Sequence, residues 1–238
     1  MMKLKIVSVW LGVLLLAAWS LPVKELKHER WQRVQVKEPS DICFTPKGNT
    51  LYMVSDDGLL YETDLNGTIL RQSPVMGVDF EGVHADADYV YVVDEFTRKI
   101  HQLRHEDLQA VRTVEVPYSG GRNMAYESIT FNHKKGVFII ITEKYPTQVF
   151  ELDASLRKIN EVRFTGVRDV SAATWYNNEL WLLSDEDRMV LRVDPQTYAI
   201  KERFRIPVIN PEGLAFDAAG NLLVCSDDLR RLYFFPKF

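Results

Sequence analysis

The sequence is poor in cysteine and carries no excess of positive charge, and each shortage excludes a class of protein. Two cysteines in 238 residues are too few for the disulfide framework of a small secreted domain. Cys43 and Cys225 lie in apolar runs, which favours buried thiols, although a disulfide between them stays open. The formal net charge is −4 and no basic stripe with interleaved aromatic residues occurs, so we expect no nucleic-acid partner.

Motifs that signal common catalytic chemistry are also missing. The five histidines show no spacing typical of zinc sites. The chain contains no Gly-x-Ser-x-Gly nucleophile elbow, no phosphate-binding loop and no Cys-x-x-Cys pair. Any chemistry of this chain therefore depends on other side chains.

One long apolar run stands at the N-terminus, where Lys3 and Lys5 precede an uncharged stretch from Ile6 to Val23. In a helix this stretch would span about 27 Å, close to the roughly 30 Å of a bilayer core. We therefore predict that residues 1–29 form a hydrophobic helix and a linker that anchor the chain in a membrane. The alternative is a signal peptide that is cleaved near Ala18-Trp19-Ser20.

After this segment, a short sequence motif occurs five times, and each copy places an acid beside a predicted inner strand. The copies stand 40, 46, 44 and 41 residues apart when they are aligned on Asp41, Glu81, Glu127, Ser171 and Glu212. A period in this range predicts radial or solenoidal repetition instead of one irregular core.

Each repeat predicts four short antiparallel strands separated by turns rich in Gly, Asn and Asp, which is typical of a propeller blade. The fifth repeat stops after its third strand at Phe238, while a strand-like segment at about residues 31–36 precedes the first repeat. We predict an all-β, five-bladed β-propeller over residues 30–238. The segment at 31–36 is predicted to complete the last blade and so to remove an exposed sheet edge.

Two sets of acids should meet at one mouth of the propeller channel, because a first strand begins at the end of the blade where the second strand stops. Oxygen ligands without histidine or cysteine favour a hard cation, with calcium ahead of magnesium. The alternative is that these acids cap turns and accept backbone N–H bonds between blades. The predicted metal ligands are Asp41, Glu81, Glu127 and Glu212. The predicted ligand-binding set is Asp56, Glu95, Glu143, Asp185 and Asp227.

As a whole, the repeats resemble the SdiA-regulated or YjiK-like proteins. The resemblance rests on Asp79–Val83, Tyr126–Ile129 and Asn210–Leu214 and on the acids that close each second strand. It implies an exported bacterial propeller of undefined activity, with the anchor in the inner membrane and the propeller in the periplasm. If the N-terminal segment is cleaved, the protein would instead be periplasmic or secreted. More distantly, the Glu-Gly phrases are similar to those of NHL-repeat and phytase propellers.

Two functional hypotheses follow from these observations. The favoured one is a non-catalytic, membrane-tethered binding module whose acidic mouth holds calcium and a small-molecule or protein partner. The alternative is a calcium-dependent hydrolase of a phosphoester or lactone, in which Glu81, Glu127 or Glu212 serves as the base. Binding is favoured because no cluster of Arg or Lys near the mouth would stabilise developing negative charge.

Overall fold

The computed structural model describes residues 21–121 and 124–238. All regular elements in these residues are β-strands, which form five sheets of four or five strands. The innermost strands of the sheets contact one another in a closed cycle, so the sheets are blades around a shared axis. The predicted all-β, five-bladed propeller is therefore confirmed.

The strands follow the order predicted from the repeats. Two strands precede the repeats, β1 (Val23–Glu25) and β2 (Arg30–Arg33). The first blade contains β3 (Pro39–Phe44), β4 (Leu51–Ser55), β5 (Leu59–Thr63) and β6 (Ile69–Met76). The second contains β7 (Phe80–Ala85), β8 (Tyr89–Asp94), β9 (Lys99–Arg104) and β10 (Ala110–Glu115).

The third blade contains β11 (Tyr126–Asn132), β12 (Val137–Thr142), β13 (Gln148–Leu152) and β14 (Lys158–Arg163). The fourth contains β15 (Ala172–Tyr176), β16 (Glu179–Ser184), β17 (Met189–Val193) and β18 (Ile200–Arg205). The fifth contains β19 (Pro211–Phe216), β20 (Leu222–Ser226) and β21 (Arg231–Phe235), with β2 as its outer strand.

The core of the molecule consists of five apolar clusters, each of which lies between two neighbouring blades. The second strands, such as β12 and β20, are buried along their whole length because both faces of each sheet are covered. Cys225 belongs to the cluster between the last and first blades, and both Cys43 and Cys225 are free thiols.

The segment before the first repeat pairs with the last blade. Strand β2 lies antiparallel to β21, with Trp31 opposite Tyr233. The strand occupies Arg30–Arg33, whereas the sequence placed it at about 31–36. It ends early because Val34 and Val36 turn into the core between the first and last blades.

The sequence did not predict β1, which pairs in parallel with β18 as a fifth strand of the fourth blade. Lys24 forms an ion pair with Glu202 at 2.5 Å, and Glu25 pairs with Arg205 at 3.3 Å. Strand β1 has three residues, all exposed, so it shows no alternation of buried and exposed positions. Only the charges of Lys24 and Glu25 could have indicated its pairing with β18. Most of the predicted hydrophobic helix, residues 6–20, lies outside the described residues. Residues 21–121 and 124–238 contain no helical segment that could span a bilayer.

Candidate functional site

A β-bulge near the start of the inner strands determines which side chain of each repeat reaches the channel mouth. In the second, third and fifth blades, the pairing register skips one residue, and that extra residue is Glu81, Glu127 or Glu212. A bulge bends the strand and redirects the side chain of the extra residue. The three glutamates therefore occupy equivalent places around the axis.

Serine occupies the equivalent place in the other two blades. In the first blade the skipped residue is Ser40, directly before Asp41. In the fourth blade Ser171 takes this place and donates its backbone N–H to Leu183 O at 3.0 Å. The sequence alignment of Asp41 with Glu81 was thus one residue out of register, and a slip of one residue along a strand turns a side chain to the opposite face.

Asp41 is buried and acts as a link between blades. Its Oδ1 accepts the backbone N–H of Ile42 at 2.8 Å, and its Oδ2 accepts that of Val83 in the second blade at 2.9 Å. Burial raises the pKa of Asp41 well above its usual value, while these hydrogen bonds act in the opposite direction. Asp41 does not belong to the residues that line the cavity described next, and its contacts match the capping alternative.

An open cavity of about 310 Å³ lies at the end of the channel where the inner strands begin, and every described residue that lines it is an acid. Seven of them belong to the two predicted sets. The lining residues are Asp56, Asp79, Glu81, Glu95, Glu127, Glu143, Glu212 and Asp227. The structure therefore brings together three of the four predicted metal ligands and four of the five predicted ligand-binding residues.

Besides Asp41, two acids differ from the predicted sets. Asp185 does not line the cavity, although it lies close enough for its negative charge to raise the pKa of Glu212. Asp79 lines the cavity but was not predicted as a site residue. Its position two residues before Glu81 was the available signal, because Asp169 stands two residues before Ser171 in the fourth blade.

The bulge glutamates are mostly buried, and this burial disfavours their charged forms. Burial raises the pKa of Glu127 well above its usual value, and the charges of Glu81 and Glu95 raise it further. Burial has the same effect on Glu81, where Asp56 and Asp79 add to the shift. Without a positive partner, these groups therefore retain protons to a higher pH than exposed glutamates do.

The acids that follow the second strands are held by their neighbours. Glu95 accepts the backbone N–H of Ala125 in the next blade at 2.6 Å, and burial raises the pKa of Glu95 to about 7. Ser40 donates its hydroxyl to Asp56. Burial raises the pKa of Asp185 to about 6, and the charge of Asp169 adds to this shift. Carboxyl groups that titrate near neutrality are concentrated at this end of the molecule.

One lysine lies at the edge of the cavity. Lys144 pairs with Glu143, which lines the cavity, and with Glu186 at 3.2 Å. Burial raises the pKa of Glu143, and the hydrogen bond from Lys144 lowers it. The other lining acids form no ion pair with the residues that the structure describes. Within the described part of the chain, ion pairs therefore compensate little of the negative charge of the cavity.

The donor set is that of a hard-cation site, since every lining group offers oxygen. In residues 21–121 and 124–238, however, no three His, Cys, Asp or Glu side chains stand close enough to hold a metal ion. Coordination of an ion would therefore require the glutamates to move toward it.

The model of the SdiA-regulated family matches residues 24–236, which covers all five blades. The chain belongs to the SdiA-regulated family. This match agrees with the resemblance that the repeated phrases indicated.

Solved structures with the same fold include a glutaminyl cyclase from Myxococcus xanthus. It is 14% identical, with a TM-score of 0.73 over 90% of this chain and 97% of that chain. The β-propeller domain of Cps50 (Swd1) from Myceliophthora thermophila is 10% identical, with a TM-score of 0.58 over 88% and 99% of the two chains. A streptogramin B lyase is 13% identical, with a TM-score of 0.52 over 83% and 64%. At these identities the likeness shows a shared propeller fold alone.

Proposed function

We propose that this chain is a non-catalytic binding module whose acidic cavity takes up a cation. The observation that carries the proposal is the composition of the cavity wall: eight carboxylates line it, and among the residues that the structure describes Lys144 alone pairs with one of them. Clustered carboxylates repel one another in a partly dry site, and a bound cation relieves this repulsion.

Calcium is the ion that we propose first. It accepts between six and eight oxygen ligands in flexible geometries, whereas magnesium demands a near-ideal octahedron. Glu81, Glu127 and Glu212 stand in equivalent places around the axis and could approach one ion together. Because the acids must shift to coordinate it, we expect a dissociation constant in the range of about 10⁻⁴–10⁻³ M, as in other extracellular calcium modules.

We also propose that the propeller is tethered to the bacterial inner membrane and faces the periplasm. The apolar run at residues 6–23 and the lysines before it support this topology. The pairing of β2 with β21 supports a ring closed by the N-terminal segment. Such a closure would protect the outer edge of the last blade from pairing with other chains.

A calcium titration of the melting temperature tests the proposed function. A ligand that binds only the folded state stabilises it by RT ln(1 + [L]/Kd), so the melting temperature keeps rising, ever more slowly, once the ligand concentration exceeds the dissociation constant. We expect a rise at millimolar calcium that is lost in Glu127→Gln and Glu212→Gln. The matched control is Glu29→Gln, an exposed glutamate outside the cavity, which should respond as the wild type does. No rise in the wild type would refute cation binding.

A hydrolase of a phosphoester or lactone is the second candidate. It is favoured by Glu95, whose pKa of about 7 suits a general base that takes a proton from an attacking water at neutral pH. We would assay a panel of phosphoesters, lactones and glutaminyl peptides with and without calcium, the last because a glutaminyl cyclase shares the fold. Turnover that Glu95→Gln abolishes would place this candidate first.

A further inference from the structure

Four strongly exposed apolar side chains lie on loops or strand ends at the cavity end of the propeller. Tyr145 is 79% exposed, Met76 72%, Val78 55% and Ile209 47%. We refer to these four residues as the apolar rim. Exposed apolar residues that are grouped around a polar recess mark binding surfaces more often than isolated ones do.

Chain connectivity places the rim at the cavity end of the propeller. Val78 directly precedes Asp79, and Tyr145 lies two residues after Glu143, so two rim residues adjoin lining residues. Met76 ends β6, where it pairs with Leu59 at the start of β5.

The fifth blade supplies the remaining rim residue. Ile209 lies three residues before Glu212, and its carbonyl accepts the hydroxyl of Ser226 at 2.6 Å. Ser226 directly precedes Asp227, which lines the cavity. The rim residues therefore come from the first, third and fifth blades and belong to the same face.

The cavity has the size and the free acceptors for an organic cation. At roughly 30 Å³ per water, a volume of about 310 Å³ holds about ten waters, which is enough for the end of a long side chain. Glu212 is mostly buried and lines this cavity. Its carboxylate makes no hydrogen bond or ion pair with the described residues, and burial, together with the charges of the acids around it, raises its pKa. An ammonium or guanidinium group would supply the donors that this carboxylate lacks.

We propose that this face docks a protein partner that inserts a lysine or arginine side chain into the cavity and packs apolar neighbours on the rim. The inference rests on the proposed cation binding and adds the class of the physiological ligand. Charge complementarity selects a basic segment, and the rim selects one with apolar residues beside the basic side chain. A membrane surface fits less well, because its anionic lipids would face uncompensated carboxylates.

Calorimetry on the full chain in a mild non-ionic detergent tests the proposal. The probe is acetyl-Leu-Lys-Leu-amide, and the matched control peptide carries acetyl-lysine, which has a similar shape without the charge. We expect the lysine peptide to bind at least about tenfold more tightly than the control, which corresponds to about 1.4 kcal/mol. Equal affinities would overturn the proposal.

Variants separate this inference from the proposed function. The double variant Val78→Ser/Tyr145→Ser should weaken the lysine peptide about three- to tenfold and leave calcium affinity unchanged. Ile159→Ser is the control, because Ile159 is 56% exposed on an outer strand away from the rim. Peptide affinity that is insensitive to the rim variant would overturn the docking proposal.

The remaining outcomes are also decisive. Calcium binding without lysine-peptide binding would refute the docking proposal and leave the proposed function standing. Failure of both ligands would refute both proposals. Flotation with vesicles of phosphatidylcholine and phosphatidylglycerol that depends on Val78 would assign the rim to a membrane and also overturn the docking proposal.

Discussion

Asp41 and Glu212 should respond in opposite ways to loss of charge, although the sequence placed them in one set. Asp41 accepts the backbone N–H groups of Ile42 and Val83, and so links the inner strands of two blades. Glu212 lines the cavity among other acids that raise its pKa. The first carboxylate therefore stabilises the ring, and the second destabilises it in the absence of a cation.

The magnitudes can be worked from these contacts. In Asp41→Asn, one carboxylate oxygen becomes an NH₂ group, so at least one of the backbone donors loses its acceptor. Leaving a buried donor unpaired costs about 1–3 kcal/mol. For a propeller of this size, that cost lowers the melting temperature by roughly 3–10 °C. Glu212→Gln removes one repelling charge, so we expect an unchanged or higher melting temperature without calcium.

Thermal unfolding followed by circular dichroism, with calcium calorimetry on the same samples, checks both variants. Asp41→Asn should be less stable yet keep its calcium affinity, whereas Glu212→Gln should keep its stability and lose at least about tenfold in affinity. The reverse pattern would refute the reasoning. Asp41 would then belong to the binding site, and Ser40 would not be the residue of the first blade that corresponds to Glu81, Glu127 and Glu212.

Three further predictions follow from the same geometry. In Gly213→Ala the new Cβ would lie 2.7 Å from the Cα of Asp41. The free energy of unfolding, measured with urea, should therefore fall by about 2 kcal/mol. An unchanged urea midpoint would contradict this close approach. Lys144→Met removes the ion-pair partner of Glu143 and leaves its carboxylate free to bind a cation. Calcium affinity should therefore rise about twofold or more. A lower affinity would show that the lysine supports the site. Because burial raises folded-state pKa values, such as that of Glu95 to about 7, the folded chain holds more protons than the unfolded chain between about pH 5 and 7. Stability without calcium should therefore fall as the pH rises from about 5.5 to 8, and calcium should stabilise more at the higher pH; a flat profile would contradict the raised pKa values.

The fold was predictable because two signals agreed along most of the chain. The repeated phrase sets the number of blades, and the apolar runs that follow it mark strands buried on both faces. Strand β1 lacked both signals, since it has three exposed residues and pairs through backbone bonds and ions such as Lys24–Glu202. Local pattern cannot identify a strand whose partner lies far away in the sequence.

The composition of the cavity wall was predictable from the sequence, but the register of the first inner strand was not. The sequence located seven of the eight lining acids, because strand ends at one side of a blade must lie together. The alignment of the repeats was wrong in the first repeat. Ser40 and Asp41 are adjacent there, and Asp41 was aligned with the glutamates because it is acidic. Only the pairing of β3 with β4 shows that the bulge falls on Ser40.

In the Glu-Gly motifs, we assign a packing role to the glycine and a binding role to the glutamate. The glycine allows close packing, since a Cβ on Gly82 would lie 2.9 Å from the Cα of Ser128 in the next inner strand. The preceding glutamate has no such structural role, because Ser40 and Ser171 fill the same bulge position in the other blades. Packing alone therefore does not require an acid at this position. Three mostly buried glutamates with raised pKa values reduce stability at neutral pH, and the positively charged ligand that we propose would offset this cost.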